Sequence, residues 1–284
     1  MPGTRFSGKV VLISGSSKGI GQATAVKFAA EGAKIVLNGR SADDVEKTRK
    51  LCMEVGAKPW DLLPTVGDIT NEDFVKMMVN TVIHNFGKLD ILINNAGTLE
   101  VDMTGKEGWE MGVDVMDRSW NSNFKSVLML TQAAMPHLIK TKGDIVNVST
   151  FLSSGPIGVM SMPYYAVPKA ALDQMSRSMA HEYMLKGVRL NTVNPGLVST
   201  SFFARLPGVG DDNARKMENY VQSKTEYIPL GRVCQASDVA ETILFLADRK
   251  VSECIVGQSI IIDGGSRLCC NIDMSDFKEQ MAKA

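Results

Sequence analysis

The segment Tyr164-Tyr165-Ala166-Val167-Pro168-Lys169 places the phenol of Tyr165 and the ammonium of Lys169 four residues apart. On a helix, positions i and i+4 share a face, so hydroxyl and amine can converge on one point. A free phenol has a pKa near 10, and a neighbouring cation lowers it toward the range useful for proton transfer. A positioned acid or base of this kind contributes roughly 10²–10⁴-fold to a reaction rate. Taken alone, the same spacing also describes a core tyrosine beside a surface lysine.

A second candidate lies near the start of the chain. Gly15-Ser16-Ser17-Lys18-Gly19-Ile20-Gly21 follows the apolar run Lys9–Ser14 and precedes a helical pattern. Three glycines at this spacing let the backbone turn sharply and approach a pyrophosphate without Cβ obstruction. The helix that follows directs unpaired N–H groups and its positive dipole end at such an anion. An acidic residue roughly 20 positions on would hold the adenosine ribose of NAD. Here the second strand ends Asn38-Gly39-Arg40, and no carboxylate follows until Asp43. Arg40 and Lys18 are instead placed to meet a 2′-phosphate, so the expected cofactor is NADP(H).

These residues need a scaffold. Strands are expected at Lys9–Ser14, Lys34–Asn38, Thr65–Val66, Leu89–Ile93, Gly143–Ser149, Gly187–Thr192 and Gln258–Ile262. Helical patterns lie between them at Gly21–Glu31, Ala42–Val55 with Ser41 as N-cap, 71–86, 117–141, 163–186 and 236–248. Strands apolar throughout belong to a sheet covered on both faces. The alternation predicts an α/β protein: three layers, about seven parallel strands, doubly wound, one domain over residues 1–284. Ligands then sit outside the carboxyl ends of the strands. The least regular segments, 98–116 and 198–232, are the expected substrate loops, with Phe202, Phe203, Leu206 and Tyr220 suited to cover an apolar ketone. Trp109 and Trp120 are the expected anchors of the first.

Composition narrows the classes. The chain has 31 Lys+Arg and 31 Asp+Glu, and this balance argues against a nucleic-acid binder, which needs clustered cations. No apolar run approaches the roughly 20 residues that cross a bilayer, and the first residues lack a signal-peptide stretch. Five scattered cysteines without a C-x-x-C pair suit a reduced, cytoplasmic protein, with the vicinal Cys269-Cys270 as a redox alternative. His84, His137 and His181 are dispersed, so no metal site is expected.

Together the residues resemble the short-chain dehydrogenase/reductase family. The resemblance runs from about Gly8 to Ser266 and rests on ordered motifs. They are Gly15-x-x-x-Gly19-x-Gly21, Asp68, Asn94-Asn95-Ala96-Gly97, Asn123, Tyr165-x-x-x-Lys169, Asn194-Pro195-Gly196 and Asp263-Gly264-Gly265. The wording around Tyr165 is similar to nematode-type, tropinone-reductase-like and carbonyl reductase members. The resemblance implies a Rossmann fold and hydride transfer between NADP(H) and a carbonyl or alcohol substrate. Tyr165 would then exchange a proton with the substrate oxygen, while Lys169 would bind the nicotinamide ribose and depress the phenol. Asn123, with Asn121 as rival, would hold a water of the proton relay. Ser17, Ile20, Asn95, Ala96, Gly97 and Pro195 would line the cofactor. Asp68 would accept from the adenine amino group, and Gly196, Val198 and Thr200 would meet the nicotinamide end. The helix over 163–186, with Ala171, Ser178 and Glu182 on a small-residue face, would pack on a partner subunit to give a homodimer or homotetramer.

Two positions depart from the family pattern. The carbonyl-polarising hydroxyl falls on Thr150 by alignment of the strand, with Ser149 and Ser153 as alternatives. Pro168 stands where a small residue is usual, and a proline in a helix interior lacks the N–H and tends to kink it. These departures leave open a catalytically weak, nucleotide-sensing or interaction protein on the same scaffold. Epimerase or dehydratase chemistry is a third reading. The tail 269–284 suggests no role.

Overall fold

The computed structural model describes residues 4–154, 162–202, 204 and 209–269. Its strands in chain order are β1 (Val10–Ile13), β2 (Lys34–Gly39), β3 (Leu62–Val66), β4 (Ile91–Asn94), β5 (Asp144–Val148), β6 (Arg189–Pro195), β7 (Val198–Ser199), β8 (Cys234–Gln235) and β9 (Ser259–Ile262). Seven of them form one parallel sheet in the order β3-β2-β1-β4-β5-β6-β9, and β7 pairs with β8. The chain therefore reverses its direction of travel across the sheet between β1 and β4, which opens a crevice at their carboxyl ends.

Three layers follow from the side chains. In β1, Val11 and Ile13 join Phe28, Val45 and Ile243 on one face. Val10 and Leu12 join Met78, Val82 and Leu138 on the other. The first face is covered by α1 (Gly19–Ala30), α2 (Ala42–Glu54) and α8 (Ala236–Ala247). The second is covered by α3 (Glu72–Phe86), α5 (Ser126–Thr141) and α6 (Pro163–Leu185). Between the central strands runs a row of buried polar groups. Asn94 Nδ2 donates to Asn147 Oδ1 at 2.8 Å and to Thr131 Oγ1 at 3.0 Å, and Asn147 Nδ2 donates to Ser176 Oγ at 2.8 Å.

Three elements differ from expectation. The helix expected over 117–141 begins earlier, as α4 (Val113–Trp120), and passes through a π-helical turn at Asn121–Lys125 before α5. The segment 198–232 is not irregular throughout, because it contains α7 (Gly210–Gln222). Only Val221 of α7 is buried, so the helix offers no apolar stripe for periodicity to reveal. Strand β3 is longer than its predicted 65–66 because it accommodates Pro64, which an edge strand tolerates. Helix α6 runs through Pro168, as the pattern over 163–186 predicts. No helix among the described residues is long and apolar enough to cross a membrane.

Candidate active site

The carboxyl ends of the sheet open into a cavity of about 660 Å³. Every predicted site residue except Gly21 and Asn123 lines it. A Cβ on Gly21 would lie 2.4 Å from the Gly15 carbonyl and the Asn95 amide, so this glycine packs α1 against the turn. Gly15 has φ +64°, and its Cβ would lie 2.8 Å from Ala96 Cα. The two turns are stitched together: Ser14 Oγ accepts from Asn95 N and Ala96 N, and Asn95 Nδ2 donates to the Ser14 and Gly15 carbonyls. No side chain caps α1, and its first turn carries no acidic residue. An uncapped helix start behind a glycine turn fits the pyrophosphate of a dinucleotide.

The cations at this end are not equivalent. Lys18 Nζ pairs with Asp44 Oδ2 at 2.9 Å, and that ammonium holds the Asp44 carboxyl below its ordinary value. Arg40 is exposed at the cavity rim and has no ion-pair partner among the described residues. Asp44, absent from the sequence reading, reaches the cavity because Ser41 caps α2 and receives the Asp44 N–H at 3.3 Å. Asp68 also lines the cavity, and its Oδ1 accepts from the amide and hydroxyl of Thr70.

At the other end, Tyr165 and Lys169 stand one turn apart on α6. Lys169 is 2% exposed, and its Nζ donates to the Val148 carbonyl at 2.9 Å. Gly97 allows this approach, since a Cβ there would lie 3.2 Å from Lys169 Nζ. Burial pushes the Lys169 ammonium from 10.5 down to about 8, opposed by the carboxylate of Asp173. Burial also raises the Tyr165 phenol above its ordinary value. The expected depression by Lys169 does not overcome that burial in this arrangement. The ammonium lies 5.9 Å from the ring centre and is directed at Val148.

Three hydroxyls compete for the role of carbonyl polariser, and their commitments differ. Ser149 Oγ donates to the Lys169 carbonyl, and Ser153 Oγ is shared between the Thr150 carbonyl and Asp173 Oδ2. Among the described residues Thr150 Oγ1 only accepts, from Leu152 N at 3.4 Å, which leaves its proton to face the cavity it lines. Asn123 is buried beneath the lining residues Asn121 and Ser122, inside the π-helical turn. Its Oδ1 accepts from Thr98 N at 3.0 Å and its Nδ2 donates to Thr98 O at 2.9 Å. Pro195 and Gly196 end β6 against Asp263, and Val198 and Thr200 continue the wall.

Phe151, Leu152, Met162 and Phe202 are among the apolar residues of the lining. Tyr220 instead packs with Leu197, Val221, Ile228 and Val233 in a separate cluster, so it does not cover the cavity as expected. Phe203 and Leu206 lie outside the described residues, as does Cys270. Trp109 is mostly exposed and meets the scaffold edge-on at Tyr164, while Trp120 packs on Phe124.

The sequence profile of the family described as enoyl-(acyl carrier protein) reductase matches residues 15–267. The 3-oxoacyl-[acyl-carrier-protein] reductase of Thermotoga maritima is 35% identical over 266 residues, covering 92% of this chain and 98% of its own. A short-chain dehydrogenase/reductase of unknown function from Caenorhabditis elegans, solved with cofactor, superposes with a TM-score of 0.90 at 41% identity, over 93% of this chain and 97% of that one. Glucose dehydrogenase of Caenorhabditis elegans, solved in the apo-form, gives 0.77 at 39% identity, over 93% and 100%. With the parallel sheet, the glycine turn and the Tyr165–Lys169 pair in one cavity, the chain belongs to the short-chain dehydrogenase/reductase family.

Proposed function

We propose that the protein is an NADP(H)-dependent oxidoreductase that interconverts a ketone or aldehyde with the corresponding alcohol. The observation that carries this reading is the single cavity whose one end is the glycine turn and whose other end gathers Thr150, Tyr165 and Lys169. The bound nicotinamide supplies or accepts the hydride. Gly15, Gly19 and the start of α1 would hold the pyrophosphate, and Arg40 with Lys18 the 2′-phosphate. Asp68 would accept from the adenine amino group. Asn95, Ala96 and Gly97 would flank the ribose side, and Val198 and Thr200 the carboxamide.

At the reacting end, the Thr150 O–H would donate to the substrate oxygen and fix its direction. Tyr165 would deliver a proton to that oxygen in reduction, and remove one in oxidation. Lys169 would be drawn from Val148 toward the ribose hydroxyls, bringing its charge to bear on the phenol. Asn123, inside the π-helical turn, would help seat the relay water that resupplies the proton. Leu152, Met162 and Phe202 would exclude bulk solvent from the reacting atoms.

Substrate contacts from 98–116 and 198–232, assembly as a homodimer or homotetramer and a cytoplasmic setting belong to the same proposal. Exposure of Ser178 and Glu182 on α6 supports a face available for assembly. The test is a panel of aldehydes and ketones in which NADPH and NADH consumption are followed side by side, with Tyr165→Phe as control. We expect NADPH-dependent turnover that falls about 10²–10⁴-fold in the variant, with NADPH binding retained. Undiminished turnover by Tyr165→Phe would refute the mechanism.

A further inference from the structure

Pro168 removes from α6 the N–H that would bond the Tyr164 carbonyl four residues earlier. That carbonyl has found another donor. Ser119 of α4, 1% exposed, donates its hydroxyl to Tyr164 O at 2.5 Å. The same hydroxyl oxygen accepts from Asn123 Nδ2 at 3.1 Å, and Asn123 also donates to the Ser119 carbonyl at 3.0 Å. Asn123 in turn grips both backbone groups of Thr98, which lines the cavity. Tyr164 is fastened at its far end as well, where its hydroxyl donates to the Met111 carbonyl at 3.1 Å.

We propose that Ser119 is a positioning residue. Its hydroxyl replaces the helix bond that Pro168 deletes, and so locks the turn carrying Tyr165 to the π-helical turn carrying Asn123. Two peculiarities of the chain, a proline inside the catalytic helix and a buried serine on its neighbour, then form one device. A serine reaches where a main-chain N–H cannot, and it couples two elements that the lost bond would have left independent. Without the hydroxyl, the part-buried Tyr164 carbonyl loses that donor one residue before the phenol, and the first turn of α6 is no longer held to α4 at this point. Displacement of a reacting group by about 1 Å is enough to cost roughly 10²-fold in rate.

The kinetic part rests on the carbonyl–alcohol reading above; the clamp itself does not. The experiment is a cycle of parent, Ser119→Ala, Pro168→Ala and the double variant, with Ser119→Thr added. Thermal unfolding is followed by circular dichroism, and NADPH-dependent reduction is measured with 4-nitrobenzaldehyde and phenanthrenequinone. Ser119→Ala should lower kcat about tenfold or more and lower the unfolding midpoint, while KM for NADPH stays within about twofold. Pro168→Ala restores the N–H, so in that background removing Ser119 should change kcat by less than about threefold and the midpoint correspondingly less. Ser119→Thr keeps the hydroxyl and should retain kcat within about threefold. Equal effects of Ser119→Ala in both backgrounds, or a Ser119→Thr protein as impaired as Ser119→Ala, would overturn the proposal. If the parent reduces neither probe, the oxidoreductase reading fails separately. The midpoints then decide the clamp: a smaller drop in the Pro168→Ala background supports it and an equal drop overturns it.

Discussion

Arg189 and Lys169 are both buried cations, at opposite ends of the parallel sheet. Arg189, at the start of β6, is 1% exposed and saturated with acceptors. Its Nε meets Asp144 Oδ1 at 2.7 Å, and its other nitrogens reach the carbonyls of Leu246, Ser252 and Ile255. Arg249 shares the same carboxylate, and burial still raises Asp144 despite both cations. Lys169, beside the end of β5, has one carbonyl in reach. Of the nearby Asp173 carboxylate, Oδ2 accepts from Ser153 Oγ at 2.5 Å and Asn194 Nδ2 at 2.7 Å, while the buried Oδ1 has no hydrogen-bond partner among the described residues. The closed end of the sheet meets its buried charge in full; the open end leaves it underserved. An incompletely matched buried charge retains capacity to engage a ligand, and a fully matched one is structural.

The sharpest way to break this comparison is to remove the saturated cation. Arg189→Met leaves Asp144 buried with Arg249 alone, and should cost about 3–5 kcal/mol in urea unfolding. A loss below about 1 kcal/mol would mean the closed end is not held by this pair.

A pH series addresses the underserved cation. Lys169 titrates near 8 when folded and near 10.5 when unfolded, so between those values the unfolded chain binds more protons. Stability contributed by this group is therefore lowest below pH 8 and recovers as pH rises toward 10.5, by up to roughly 3 kcal/mol. Cys52 works in the opposite sense. Burial raises its thiol from 9.0 to about 12, so its contribution is lost as pH rises above 9. Subtracting a Lys169→Met series, which retains Cys52, isolates the lysine. Parallel pH curves for the two proteins would show that Lys169 is not charged at a penalty.

The smallest effect concerns the unpaired cation at the rim. Arg40→Ala should weaken NADPH about tenfold, or about 1.4 kcal/mol, and leave NADH unchanged in a fluorescence titration. Equal losses for both cofactors would detach Arg40 from the 2′-phosphate.

The sequence made legible those features whose physics is local. The turn from Gly15 to Gly21 needs φ values and close approaches that only glycine supplies, and Tyr165 with Lys169 needs only the helical repeat. Features that depend on distant partners stayed hidden. Asp44 rather than Asp43 faces the cavity because of how Ser41 caps α2. Pro168 costs the Tyr164 carbonyl its helix bond, and the hydroxyl that bonds it instead, Ser119, stands 45 positions before Tyr164 in the chain. Where Ser149, Thr150 and Ser153 each spend their proton is likewise set by partners outside the strand, which alignment of one strand cannot supply. Helix α7 escaped notice because it buries a single side chain.

The row of Asn94, Asn147 and Ser176 has a consequence for assembly of the fold. Each amide loses its hydration before its neighbour is certain to arrive, and an unpartnered one is costly in a dry interior. The row draws β4, α5, β5 and α6 together from chain positions 94 to 176, so all four elements must be in place before its three bonds are complete. A β4–β5 pairing displaced from the observed Asn94–Asn147 register would strand polar groups between the layers. The middle of the sheet thus carries its own proofreading, favouring one alignment of the strands beneath α6.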